Sequence, residues 1–145
     1  MGDILYFGIP GYGVARKDLV TNEILLPLTE FGTIGVLPSD TIYSLEANGN
    51  LLYIGTNNGA IEWDESASSS SSFQLGRQWD ERPQQFFDFV VVGSNVYAAT
   101  NIGVCEFPTS TIDIEECLNV YDGMPNWATY SCLLYTSDAA DDLVC

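Results

Sequence analysis

The sequence predicts an all-β chain of repeated, antiparallel four-stranded sheets, and three observations carry that expectation. The first is an internal repeat. Residues 49–63, GNLLYIGTNNGAIEW, moved forward by 44 positions, fall on residues 93–107, GSNVYAATNIGVCEF. Gly49, Tyr53, Thr56, Asn57, Gly59 and Glu62 meet Gly93, Tyr97, Thr100, Asn101, Gly103 and Glu106, and Trp63 meets Phe107 as one bulky ring for another. The second is the grammar inside the repeat. An apolar run of β-formers, a tight-turn signal at Asn57-Asn58-Gly59 and a return strand spell a hairpin. The third is the period. A poorer copy at residues 3–16 puts Tyr6, Gly8 and Gly13 in the places of Tyr53, Gly55 and Gly59, so tyrosines recur at intervals of 47 and 44 residues. That is the length of one four-stranded propeller blade. The expected architecture is a partial β-propeller, an open fragment of about three blades.

Each element follows in order. Residues 4–9 and 14–18 read as strands b and c of a first blade that lacks strand a. Residues 23–28 supply its outer strand d, where Pro27 is tolerated at an edge. This blade remnant occupies residues 3–30. A loop of Gly, Thr and Pro leads to a complete blade over 41–79, with strands at 41–46, 51–56, 60–63 and 73–79. Residues 65–72, ESASSSSS, are expected to form an exposed, mobile loop between strands c and d. The next complete blade, 86–121, takes strands at 86–92, 96–100, 104–107 and roughly 112–120. Residues 127–131 begin another. Pro38, Pro83 and Pro125 each stand just ahead of a new strand. Stacking explains the composition of these strands. A blade covered on both faces has inner strands apolar almost throughout, as in FFDFVVV and LLYI. Gly55 and Ala99 are small where a neighbouring sheet must come close. An open stack of such blades leaves sheet edges and faces uncovered, so the chain is expected to self-associate.

Residues 36–64, VLPSDTIYSLEANGNLLYIGTNNGAIEWD, resemble the repeat of the two-component regulator propeller family. Leu37-Pro38-Ser39, Leu45, Gly49, Ile54-Gly55-Thr56, Gly59 and Trp63-Asp64 fall on its motif, and residues 122–127, DGMPNW, resemble the start of the next repeat. The chain departs from the motif at Tyr53 and Tyr97, where Trp is usual, and around Arg82-Pro83. The resemblance spans residues 3–131. It implies a non-catalytic ligand- or protein-binding module from the extracellular or periplasmic sensory region of a membrane regulator. The remaining blades would come from the same parent chain. The b–c and d–a loops of such a molecule crowd one face. Here they carry Ser39, Asp40, Asn57, Asn58, Gln84, Gln85, Asn101, Asp122 and Asn126, amide, hydroxyl and carboxylate groups suited to a polar small molecule or a protein partner. The competing reading is that the asparagines simply make turns. Residues 132–142, CLLYTSDAADD, break the repeat. They resemble a translated adapter from tagmentation sequencing libraries, so 132–145 is expected to be a non-native tail.

Composition narrows the function further. A net charge of −16, from 4 basic and 20 acidic residues, disfavours nucleic acid, whose phosphates require clustered Lys and Arg. No apolar run approaches the ~18–20 residues of a membrane span. The absence of histidine removes Ser-His-Asp and Cys-His nucleophiles and His-ligated metals from this chain, and no cofactor or metal is expected. The paired acids Asp64/Glu65, Asp80/Glu81 and Glu115/Glu116 read as solvated surface. Cys105 and Cys117 lie on successive strands of one hairpin. They are either a disulfide suited to an oxidising compartment or two buried thiols. The alternative function is an enzyme, or a secreted spacer, whose working residues lie in blades outside this sequence.

Overall fold

The computed structural model describes residues 3–73, 85–101, 103–109 and 119–121. The described residues form an all-β, partial propeller of three antiparallel sheets, with no helix among them. The first sheet runs β1 (Ile4–Ile9), β2 (Gly13–Asp18), β3 (Ile24–Leu28). The second runs β4 (Ile42–Asn48), β5 (Leu51–Thr56), β6 (Gly59–Asp64), β7 (Ser69–Phe73). The third runs β8 (Phe86–Val92), β9 (Asn95–Thr100), β10 (Gly103–Pro108), β11 (Asn119–Tyr121). Within each sheet, strands pair in sequence order as a meander. The first sheet has three strands because nothing among the described residues pairs with the free edge of β1.

The core lies between the sheets. Val14, Leu28, Leu37, Leu52, Ile54, Ile61 and Trp63 fill the space between the first and second. Tyr53, Ala60, Phe86, Phe89, Val96, Ala98 and Cys105 fill that between the second and third. Successive side chains of a strand point to opposite faces. Leu52 and Ile54 therefore serve one junction and Tyr53 the other, which is why β5 is apolar without alternation. Burying one such side chain stabilises by about 1.5–3 kcal/mol. The small residue at Gly55 is a packing requirement. A Cβ there would overlap the carbonyl oxygen of Phe86 in the next sheet and lie 2.6 Å from Ser44 Oγ.

Two features differ from the sequence expectation. The serine run is a strand, not a loop. β7 pairs with β6 from Ala60↔Phe73 to Asp64↔Ser69. The c–d connection is therefore a tight turn at residues 65–68, with Ser68 at φ 50°. Polar low-complexity composition hid this edge strand, because an outer strand needs backbone pairing and one neighbour more than it needs apolar side chains. The expected strand d at 73–79 overlaps the described residues only at Phe73. Secondly, the innermost strands carry bulges at matching places, Tyr43 in β4 and Phe87 in β8. The two rings come together across the junction with centroids 5.5 Å apart. The strand expected at roughly 112–120 meets the described residues at Asn119 and Val120, which are strand in β11, and its earlier part lies outside the described residues.

Candidate functional site

Among the described residues, the b–c turns lie beside the residues that lead into the innermost strands, and their polar groups join one element to the next. The Asn57 N–H donates to the Thr41 carbonyl at 3.2 Å. In the next repeat the Asn101 N–H donates to the Gln85 carbonyl at 3.2 Å. Thr41 and Gln85 are themselves 44 residues apart, so this is one repeated stitch between a hairpin tip and the entrance of the inner strand. Asn101 adds a second bond, its Oδ1 accepting from the Gln85 N–H at 3.1 Å. Asp40 ties the first two sheets. Its Oδ1 accepts from the Glu30 N–H at 2.7 Å, and its carbonyl accepts from the Gly11 N–H at 3.1 Å. Ser39 Oγ accepts from the Thr41 N–H at 3.1 Å.

The turn itself is set by Thr56. Its buried hydroxyl donates to the Gly59 carbonyl at 2.7 Å and accepts from the Asn58 N–H at 3.1 Å. Gly59 sits at φ 124°, a conformation that suits glycine. Of the predicted rim residues, Ser39, Asp40, Asn57, Gln85 and Asn101 are half-buried and Asn58 is exposed. Asn57 Oδ1 is buried with no hydrogen-bond partner. Gln84, Asp122 and Asn126 lie outside the described residues. Cys105 is a buried free thiol, and Cys117 also lies outside the described residues.

A polar site that the sequence reading missed occupies the other end of the first junction. Arg16, only 6% exposed, reaches from β2 to Glu65 in the turn after β6. Its Nη1 lies 2.7 and 2.9 Å from the two carboxylate oxygens. Its Nε donates to the Leu26 carbonyl at 2.9 Å, and its guanidinium lies 5.3 Å from the centre of the Trp63 ring. Glu65 Oε2 also accepts from Trp63 Nε1 at 2.6 Å and from the Tyr6 hydroxyl at 2.7 Å. Burial alone would raise the Glu65 carboxyl. The hydrogen bonds from Trp63, Tyr6 and Arg16, with the guanidinium charge, outweigh it and hold the group below the usual range. Glu65 is thus no solvated surface acid. The available signal was Arg16 itself, a cation two residues after Val14 on the same face of an inward-facing strand.

Buried carboxyls elsewhere have no such compensation. Asp88 is 8% exposed and raised by burial, with the Phe89 N–H opposing. Burial also raises Glu46, and the neighbouring Asp88 adds to it. Among the described residues no group of three or more His, Cys, Asp or Glu side chains is placed to hold a metal ion.

No family model matches the sequence, and no curated protein matches it. Solved structures do. The chain is similar to the extracellular domain of BT4673 from B. thetaiotaomicron, described both as a putative hybrid two component system and as a putative one component system. The TM-score is 0.66 at 20% sequence identity, over 83% of this chain and 16% of that one. The chain is also similar to the computationally designed Ika4 protein, with a TM-score of 0.59 at 14% identity, over 85% of this chain and 69% of that one. At these identities the likeness is one of fold. The chain spans about one sixth of the BT4673 chain.

Proposed function

We propose that this chain is a run of blades from a non-catalytic sensory propeller displayed in an extracellular or periplasmic compartment, as part of a two-component-type regulator. The observation that carries this reading is the likeness to the BT4673 extracellular domain over 83% of the chain. The repeat motif at residues 36–64 supports it. The binding face would be the end that carries the b–c turns and d–a connections, and its occupant a polar small molecule or a protein. Among the described residues of that rim set, Asn58 is the exposed group, whereas Asp40, Ser39 and the stitched asparagines hold the face in shape. The remaining blades come from the parent chain, and residues 132–145 are read as a non-native tail.

Recovery of the parent reading frame tests this. The expected result is further L-P-S and I-G-T repeats, then a membrane span and a kinase-like or DNA-binding region. A histidine-bearing loop in the remaining blades, together with hydrolase or lyase activity of the whole propeller, would overturn it in favour of an enzyme.

A further inference from the structure

The Glu65 cluster of the first junction is not used by the function proposed above, and it lies at the other end of the strands. Leu51 pairs with Asp64 at that end, whereas Thr56 pairs with Gly59 at the Asn57-Asn58 turn. Strand register places its donors. Tyr6 and Arg16 stand opposite each other across β1 and β2, so their side chains share one face. Trp63, 1% exposed, comes in from β6 of the second sheet. The bond from Arg16 Nε to the Leu26 carbonyl holds the guanidinium from within the first sheet, and the Trp63 ring lies against it. None of these contacts involves Glu65.

The turn that carries Glu65 is likewise held by other groups. The Glu65 N–H donates to the Asn50 carbonyl at 3.1 Å. Asp64 Oδ1 accepts from the Ser66 N–H, the Ser66 hydroxyl and the Ala67 N–H. The Glu65 side chain is therefore a pendant group that enters a cradle built by the two sheets. At its carboxylate that cradle presents donors. The Tyr6 hydroxyl, Trp63 Nε1 and Arg16 Nη1 converge on Oε2 at 2.7, 2.6 and 2.9 Å, and Arg16 Nη1 also reaches Oε1 at 2.7 Å. Hydrogen bonds to an ionised acceptor are the stronger class, and a neutral amide in the same place would bring an NH2 against one of these donors. One repeat on, Glu62, Phe107 and Thr109 stand in the places of Arg16, Trp63 and Glu65, so the donor set is not repeated there.

We propose that Tyr6, Arg16 and Trp63 form a carboxylate receptor between the first two sheets, that Glu65 is its tethered ligand, and that a small free carboxylate takes the same place once the tether is cut back. Arg16 supplies the charge, the phenol and indole supply two further donors, and burial of Arg16, 6% exposed, keeps water from competing. The receptor also gives the junction its specificity. The first sheet accepts a neighbour that brings an acid in the turn after its third strand, and it discriminates against one that brings a threonine, as the third sheet does with Thr109. A partner lacking the acid would leave the guanidinium buried and unpaired, which is costly.

Chemical rescue of the full chain tests the proposal. Glu65→Ala is melted at pH 7 in increasing sodium formate or acetate, with sodium chloride holding the ionic strength constant. The expected result is a lowered Tm that formate and acetate raise along a saturable one-site curve, while chloride and acetamide do not. Wild type, whose receptor is filled, is expected to show no such rise. Tyr6→Phe added to Glu65→Ala removes one donor to the charged group and is expected to weaken the rescue by about tenfold, and Arg16→Met added to it should abolish the rescue. Glu65→Thr, which installs the residue of the next repeat, serves where Glu65→Ala fails to fold, and recovery of its β-sheet circular dichroism in formate counts as rescue. A Tm that does not respond to formate, an equal response to acetamide or in wild type, or a rescue that survives Arg16→Met would each overturn the proposal, since a merely structural role for Glu65 predicts no selective response to a free carboxylate.

Discussion

Glu65 collects donors from three side chains of two sheets, so its removal strands all of them at once. Glu65→Ala leaves a buried guanidinium without its partner, and such a loss costs on the order of 3 kcal/mol. Urea denaturation of the variant is expected to show a loss of that size with an unchanged m-value. The carboxyl also gives the molecule a pH dependence of definite sign. Its folded pKa is depressed, so its contribution is complete above the unfolded value of about 4.3 and is lost as pH falls through the folded pKa. Glu62, Asp88 and Glu46 act in the opposite sense. Their folded pKa values are raised, so the folded state binds protons first and gains stability as pH falls from neutral toward the unfolded value. Stability should therefore peak in the mildly acidic range. Thermal melts from pH 8 to pH 3 are expected to show that maximum. Glu62→Gln should flatten its alkaline side, and Glu65→Gln its acid side. Rim residues divide by a different test. Asp40→Ala should lower Tm through loss of its bond to Glu30, whereas Asn58→Ala should leave Tm in place and weaken whatever binds the face. Residue roles were the least legible part of the sequence. Asn57 and Asn101 were readable as turn formers from the Asn-x-Gly spacing. Their stitch to Thr41 and Gln85 depends on where a strand 16 residues away begins, and local pattern does not contain that.

Elements were legible where burial dictates composition and obscure where it does not. β5, β6, β8 and β9 lie against a neighbouring sheet, and their apolar runs gave their positions to within two residues. β7 is an outer strand made largely of serine, and its existence follows from pairing with β6 rather than from its own side chains. Hydrogen exchange checks it. Amides of β7 that bond to β6 should be protected well beyond those of residues 65–68, and uniformly fast exchange across 65–73 would restore the loop reading. The exposed Ser70 can also be changed. Ser70→Thr is expected to raise stability by roughly 0.5 kcal/mol, because a β-branched residue suits a pleated strand. The repeated bulges at Tyr43 and Phe87 were not readable, since a bulge inserts a residue without altering the apolar pattern. Gly55 was readable in kind. The sequence marked a close approach, and the structure identifies the approaching group as the Phe86 carbonyl. Gly55→Ala should cost about 3 kcal/mol by forcing the second and third sheets apart.

At the scale of the whole molecule, the 44-residue repeat was enough to give stacked blades, because each sheet can bury its faces only against another. The first sheet shows what happens where that neighbour is missing among the described residues. Leu5, Phe7 and Ile9 of β1 are 42%, 46% and 40% exposed, and Ile24 and Leu26 of β3 are 82% and 54% exposed. The residues equivalent to Leu5 and Phe7 one repeat later are Leu52 and Ile54, which are buried in the junction between the first two sheets. The outward face of the first sheet is thus built as a junction, and it stands open beside the free edge of β1. Exposed faces of this kind drive association. Sedimentation velocity of the chain over a tenfold or wider concentration range tests this account most directly. The account predicts concentration-dependent self-association that Phe7→Thr with Leu26→Thr disperses without loss of β-sheet circular dichroism. A monodisperse, cooperatively melting monomer at every concentration would contradict it.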